Sequence, residues 1–192
     1  KILVNIKKVA VIGSGTMGCG IAAQVANAGI PVSLLDLPSS KGARNQIVEN
    51  AKNKILKSRP PLLIEKSKID LISIGNIEDD FDLVGEADWI VEAVVERINI
   101  KKNIYKKIEQ VRKKDSIISS NTSTIPLKVL SKDMSDEMKK DFCITHFFNP
   151  VRYMGLLEIV TEPINDKEKI NLLKSFCDEK LGKGVILCKD TP

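Results

Sequence analysis

The sequence has one histidine, His146, and no C-x-x-C pair among its four cysteines. Zinc sites are built from Cys and His at short spacing, so no metal is expected. No apolar run approaches the roughly 18 residues that a membrane-crossing helix needs, and no membrane partner is expected. The opening residues, Lys1 to Lys8, are too short and too interrupted for a secretory signal. Four reduced thiols in a cytoplasmic protein are therefore the default expectation. An initial Met is also missing, and the chain reads as trimmed. Charge of one sign is scarce: 30 basic and 25 acidic side chains leave a net +5. The basic residues fall in pairs and one short cluster, Arg112-Lys113-Lys114. That balance suits an anionic ligand. It offers no stripe for nucleic acid, and the clusters read as solvated helix faces.

What is present is an alternation of strand-like and helix-like blocks over 192 residues, a length that suits one domain. The runs 8–12, 32–36, 72–77, 88–94, 116–120, 142–147, 156–160 and 185–188 read as strands. Helices are expected over 16–28, from Ser39 or Ser40 to the Pro60-Pro61 stop, over 98–111, from Ile125-Pro126 onward, and over 167–180. In the second of these, Ile47, Ala51, Ile55 and Leu56 mark the buried face. Such alternation predicts an α/β fold, a Rossmann-type doubly wound and mostly parallel sheet, as a single domain over residues 1–192. The end at Lys189-Asp190-Thr191-Pro192, just after a strand, reads as a domain border.

Gly13-Ser14-Gly15-Thr16-Met17-Gly18 matches G-x-G-x-x-G between the first strand and a small-residue helix. The first glycine permits the tight turn, the second lets the backbone approach a pyrophosphate, and the third lets helix and strand pack closely. The helix N-terminus then offers free N–H groups to phosphate. The second strand ends in Asp36, where an acid can bind ribose hydroxyls. Asp36 would repel a 2′-phosphate and Leu37 offers no compensating charge, so NAD is favoured over NADP. FAD and S-adenosylmethionine are weaker readings of the same loop.

Two further clusters carry chemistry. His146 opens His146-Phe147-Phe148-Asn149-Pro150, a rigid aromatic turn, and Glu158 lies inside the next apolar strand. A carboxylate among Leu156, Leu157, Ile159 and Val160 is costly to bury unless paired. A His146–Glu158 pair would satisfy both and raise the basicity of the imidazole. Ser119-Ser120-Asn121-Thr122-Ser123-Thr124 lies at the carboxyl end of a strand, where open parallel sheets place their ligands. One of these residues is expected to cap the following helix.

Together, the glycine turn, Asp36, Val91-Glu92-Ala93-Val94-Val95-Glu96, Ser120-Asn121-Thr122-Ser123, His146-Phe147-Phe148-Asn149-Pro150 and Lys189-Asp190-Thr191-Pro192 resemble the NAD-dependent L-3-hydroxyacyl-CoA dehydrogenases, in order and over nearly the whole chain. The resemblance implies an NAD-binding domain acting on an acyl-CoA thioester. It implies that His146 is the general base, Glu158 its orienting carboxylate, Ser123 a contact to the substrate oxygen and Asn149 a contact to substrate or nicotinamide. Gly13, Gly15, Thr16, Met17, Gly18, Asp36, Ala93, Val94, Glu96, Lys101 and Asn121 would line the cofactor. Lys57, near the end of the second helix, would meet CoA phosphate. The family's second, all-helical domain, which closes the cleft and forms a homodimer, has no counterpart in this sequence, and some relatives are fused to an enoyl-CoA hydratase. A sugar-acid dehydrogenase of the L-gulonate type and a non-catalytic NAD-binding module are the competing readings. The double Phe after His146 speaks against the first, and the intact Ser123, His146 and Glu158 against the second.

Overall fold

The computed structural model describes residues 5–190. Lys1–Val4 and the Thr191-Pro192 end of the last motif lie outside the described residues. Eight strands form one sheet: β1 (Val9–Ile12), β2 (Val32–Asp36), β3 (Ile72–Asn76), β4 (Trp89–Glu92), β5 (Ile117–Ser120), β6 (Phe142–Phe147), β7 (Leu156–Thr161) and β8 (Gly184–Lys189). Their spatial order is β3-β2-β1-β4-β5-β6-β7-β8. The strands β1 to β6 are mutually parallel. Successive residues of a strand face opposite sides, so Val9 and Val11 enter one core and Ala10 and Ile12 the other. A strand buried on both faces needs this continuous apolar run, and β1 and β4 are buried along their whole length inside the sheet.

Helices α1 (Thr16–Asn27), α2 (Gln46–Lys57) and α7 (Lys167–Glu179) cover one face. Helices α3 (Asp82–Gly85), α4 (Ile98–Val111), α5 (Leu127–Ser131) and α6 (Asp136–Lys140) cover the other. A 3-10 helix spans Lys66–Leu71. At the lower edge of the sheet, Asp141 is buried between Arg112 and Lys169, tying the end of α4 to the start of β6 and to α7.

The doubly wound, mostly parallel sheet matches the expectation, with three local differences. The order of the later strands is not read from the sequence, and β7 runs antiparallel to β6. Only eight residues connect them, whereas a parallel crossover takes a dozen or more. Helix α2 begins at Gln46, not near Ser40. Ser39 instead bonds Lys41 in a local turn, and Val48, Ala51 and Ile55 form the buried face while Ile47 is exposed. Third, α6 is capped by the Ser135 hydroxyl, which accepts from Met138 N, a start signal that the sequence carries and the reading above passes over.

Candidate active site

The carboxyl ends of β1, β2 and β4 frame the first cleft. Gly13 turns with φ 106°, and a Cβ there would lie 2.4 Å from the Ala93 carbonyl oxygen. A Cβ on Gly18 would lie 1.8 Å from the Gly13 oxygen, so α1 packs directly on the turn. Gly15 differs: nothing lies within 4 Å of its Cβ position. It is the N-cap of α1 and supplies no side chain to the free N–H groups behind it. The first helical bond runs from Cys19 N to Gly15 O, which leaves the N–H groups of the first turn to an incoming anion.

Asp36 accepts from Ser14 N at 2.8 Å and from the Ser14 hydroxyl, and its second oxygen accepts from Leu37 N at 2.7 Å. Ser14 occupies both lone-pair sites of Oδ2, and Oδ1 retains acceptor capacity for a ribose hydroxyl. The cleft measures about 480 Å³; Gly13, Gly15, Thr16, Met17, Asp36, Ala93, Val94 and Glu96 all line it, with Leu37, Val95 and Ile100 as apolar flanks. The open cradle at Gly15, the unspent helix N-terminus and the acid at the end of β2 fit a dinucleotide.

Below the cleft lies a polar ring that the sequence reading missed. Glu92, fully buried, accepts from Lys101 Nζ at 2.7 Å, Ser120 Oγ at 2.7 Å, Val94 N at 2.9 Å and the Tyr105 hydroxyl. Burial, and then Glu92 beside it, push the Tyr105 phenol well up, so it stays a donor. Lys101 also reaches Glu96 at 2.9 Å. Glu96 accepts from Thr122 Oγ1 at 2.6 Å and Thr124 Oγ1 at 2.9 Å, and Thr122 N returns to Ser120 Oγ at 3.2 Å. Partial burial pushes the Glu96 carboxyl up, but the bonds from Thr122, Lys101 and Thr124 outweigh it and hold it below the usual range. An acid at the end of the buried strand β4 and a lysine nine residues on were the available signal. Lys101, expected at the cofactor, is withdrawn from the cleft: it is 1% exposed and held by Glu92 and Glu96. Asn121 clamps strands instead of lining the cleft. Its N–H donates to Glu92 O and its Oδ1 accepts from Phe147 N.

A second cavity, about 440 Å³, opens beyond the carboxyl end of β5, against β6 and β7 and the end of β8; Thr122, Ser123, Thr124, His146, Glu158 and Asp190 line it. His146 and Glu158 are directly opposed in register on β6 and β7. The imidazole leans on the Phe148 ring, with centroids 4.4 Å apart. The expected burial of Glu158 is corrected: Leu157 and Ile159 enter the core, whereas Glu158 is half-buried on the cavity face. Among the described residues no hydrogen bond joins it to His146. Ser119 and Ser120 are buried in the sheet, and Ser119 bonds Trp89 and Thr145. Thr122 Oγ1 accepts from Ile125 N, while Asp190 accepts from Leu127 N and Lys128 N at the start of α5. Asn149 is exposed on the β6–β7 turn, outside both cavities. Lys57 lies on the exposed end of α2 beside Lys54 and Asn53, apart from His146. Arg152 and Tyr153, which no motif flagged, bond the Pro61 carbonyl and so tie the β6–β7 turn to the segment after α2.

Among the described residues no cluster of His, Cys, Asp and Glu could hold a metal ion, and no helix is long and apolar enough to cross a membrane. The sheet order, the glycine turn and its acid define a dinucleotide-binding domain of the dehydrogenase class. Residues 8–191 match the family model "3-hydroxyacyl-CoA dehydrogenase, NAD binding domain", and the chain belongs to that family. It is 46% identical over 189 residues to a Rickettsia felis protein named as a fatty acid oxidation complex trifunctional enzyme, covering 98% of this chain and 26% of that protein. It is 41% identical over 189 residues to a probable 3-hydroxyacyl-CoA dehydrogenase of Deinococcus radiodurans, covering 98% of this chain and 55% of that protein. Among solved structures it resembles Mycobacterium tuberculosis FadB2, with a TM-score of 0.86 and 28% identity over 97% of this chain and 65% of that one. The chain thus spans from about a quarter to just over half the length of these curated relatives.

Proposed function

We propose that this chain is the NAD-binding part of an enzyme that oxidises the 3-hydroxyl of an L-3-hydroxyacyl-CoA thioester to the ketone, or runs the reverse. The observation that carries the reading is the meeting of His146, Glu158 and Ser123 around one cavity beside the dinucleotide cleft. NAD, when bound, supplies the hydride acceptor. The glycine turn and the α1 N-terminus hold its pyrophosphate and Asp36 its ribose. His146 takes the hydroxyl proton. Opposed side chains in an antiparallel pair have Cβ atoms about 4.5–5.5 Å apart, so a rotamer change brings the Glu158 carboxylate onto the imidazole. There it fixes the tautomer and stabilises the imidazolium. Ser123, exposed on its loop, bonds the substrate oxygen, and Asn149 at the turn contacts the substrate or the nicotinamide side. Lys57 offers its charge to CoA phosphate. The relatives' greater lengths, and the trifunctional name of one, support a larger protein that adds a dimerising helical domain and a hydratase partner.

The test is NADH oxidation by the full-length protein with acetoacetyl-CoA. His146→Gln lowers kcat by about 10²–10⁴-fold, the usual worth of a general base, and leaves NADH affinity unchanged. Turnover that survives in His146→Gln, or tight NADH binding with no turnover on any 3-ketoacyl-CoA, defeats the reading.

A further inference from the structure

The two cavities are joined by one side chain. Glu96 lines the dinucleotide cleft, yet its Oε2 accepts from both Thr122 and Thr124. Those residues flank Ser123 and line the His146 cavity. The other end of the joint is fixed. Lys101 holds Glu96 Oε1, Glu92 holds Lys101 and Ser120, and Ser120 accepts from Thr122 N, which closes a ring through β4, α4 and β5. Glu92, Lys101 and Ser120 are each at most 1% exposed, whereas Glu96 is 42% exposed. The ring therefore has one solvent-exposed member, and it faces the cofactor cleft.

We infer that Glu92, Lys101, Thr122 and Thr124 are positioning residues that act through Glu96: a dinucleotide seated against Glu96 orders the loop that carries Ser123. The inference rests on the proposed function only in taking Ser123 as the substrate-side hydroxyl. Cofactor occupancy then prepares the substrate side before any acyl group arrives, because the carboxylate that a bound dinucleotide restrains is the one that holds both threonines. Thr122 and Thr124 need no contact with either ligand to do this. A purely structural role for the ring would stabilise the loop equally with and without cofactor.

Amide hydrogen exchange on this chain, with and without saturating NADH, separates these cases. In the wild type, NADH slows exchange over residues 122–125 by about tenfold, at the low end of ordinary site-to-site couplings. In Thr122→Val that protection falls below about threefold, while the dissociation constant for NADH stays within about threefold of wild type, a difference well under 1 kcal/mol. Thr124→Val, at an exposed position where folding is not at risk, halves the effect or more. Glu92→Gln removes it by freeing Lys101 and Ser120. Bound NADH with no loop protection in the wild type overturns the inference, as does full protection in both threonine variants. Failure of the wild-type chain to bind NADH strikes instead at the cofactor reading itself.

Discussion

The glycine turn makes two substitutions of one methyl group diverge. Gly18→Ala places its Cβ 1.8 Å from the Gly13 carbonyl oxygen and 2.8 Å from the Gly13 carbon, both backbone atoms. Contacts under 3.0 Å do not persist, so α1 must move off the turn by about 1.2 Å. Overpacking of that kind costs about 1–3 kcal/mol, and rigid backbone on both sides puts it at the upper end. Alanine's better helix propensity returns roughly 1 kcal/mol. The net loss of about 2 kcal/mol lowers the melting temperature by about 4–8 °C for a chain of this size. Gly15→Ala meets nothing within 4 Å and keeps a φ of −70° that alanine adopts freely. Its cost is the weaker N-cap, within about 1 kcal/mol. The new methyl group does stand where a pyrophosphate would approach, and a loss of about tenfold or more in NADH affinity, roughly 1.4 kcal/mol, is expected. Circular dichroism melts and NADH fluorescence titrations on the two variants read both effects. Gly15→Ala with wild-type NADH affinity, or Gly18→Ala with a wild-type melting temperature, refutes the geometric account of the turn.

Three other outcomes follow from the buried groups. With a thiol reagent at neutral pH, only Cys188 reacts quickly in the native chain, because Cys19, Cys143 and Cys177 are buried and burial pushes Cys19 up to about 11 and Cys143 up to about 12; two or more fast thiols by absorbance contradict this. Arg112→Ala leaves the buried Asp141 with Lys169 alone; breaking a buried pair costs about 3–5 kcal/mol, at the low end here, and urea unfolding should show it. Glu96 titrates below its ordinary range in the folded chain, so its stabilisation is present above the unfolded carboxyl value and is lost as pH falls through the folded one. The melting-temperature gap between wild type and Glu96→Gln therefore narrows on acidification, and a gap that widens below pH of about 4.5 is the contrary result.

Much of the fold was legible because parallel strands announce themselves as unbroken apolar runs, and β2, β6 and α4 fall at the residues expected. The order of the later strands was not, since a strand's apolar content is the same wherever it sits in the sheet. The glycine turn, Asp36 and the opposition of His146 to Glu158 could be placed from spacing and the likeness to a family. The burial of Glu158 could not, because a strand with one open face shows every second side chain to solvent, and Leu156 and Val160 share that face. Lys101 and Asn121 were expected at the cofactor because the family resemblance implies it. The Glu92–Lys101 spacing hints at a buried pair, but the engagement of Asn121 by Phe147 joins residues 26 apart that no local pattern links.

The reversal at β7 bears on how the molecule is assembled. The register that opposes His146 to Glu158 spans 12 residues, whereas the pairing of Ile12 with Glu92 beside the dinucleotide cleft spans 80. Closure entropy grows with the logarithm of the span, and the second costs about 1.7 kcal/mol more than the first. The opposition of His146 to Glu158 is thus nearly a local property of one short segment, while the cofactor cleft is a collective property of the whole sheet. A shift of β1 against β4 therefore alters the cleft directly, whereas the opposition of His146 to Glu158 is set by the β6–β7 turn.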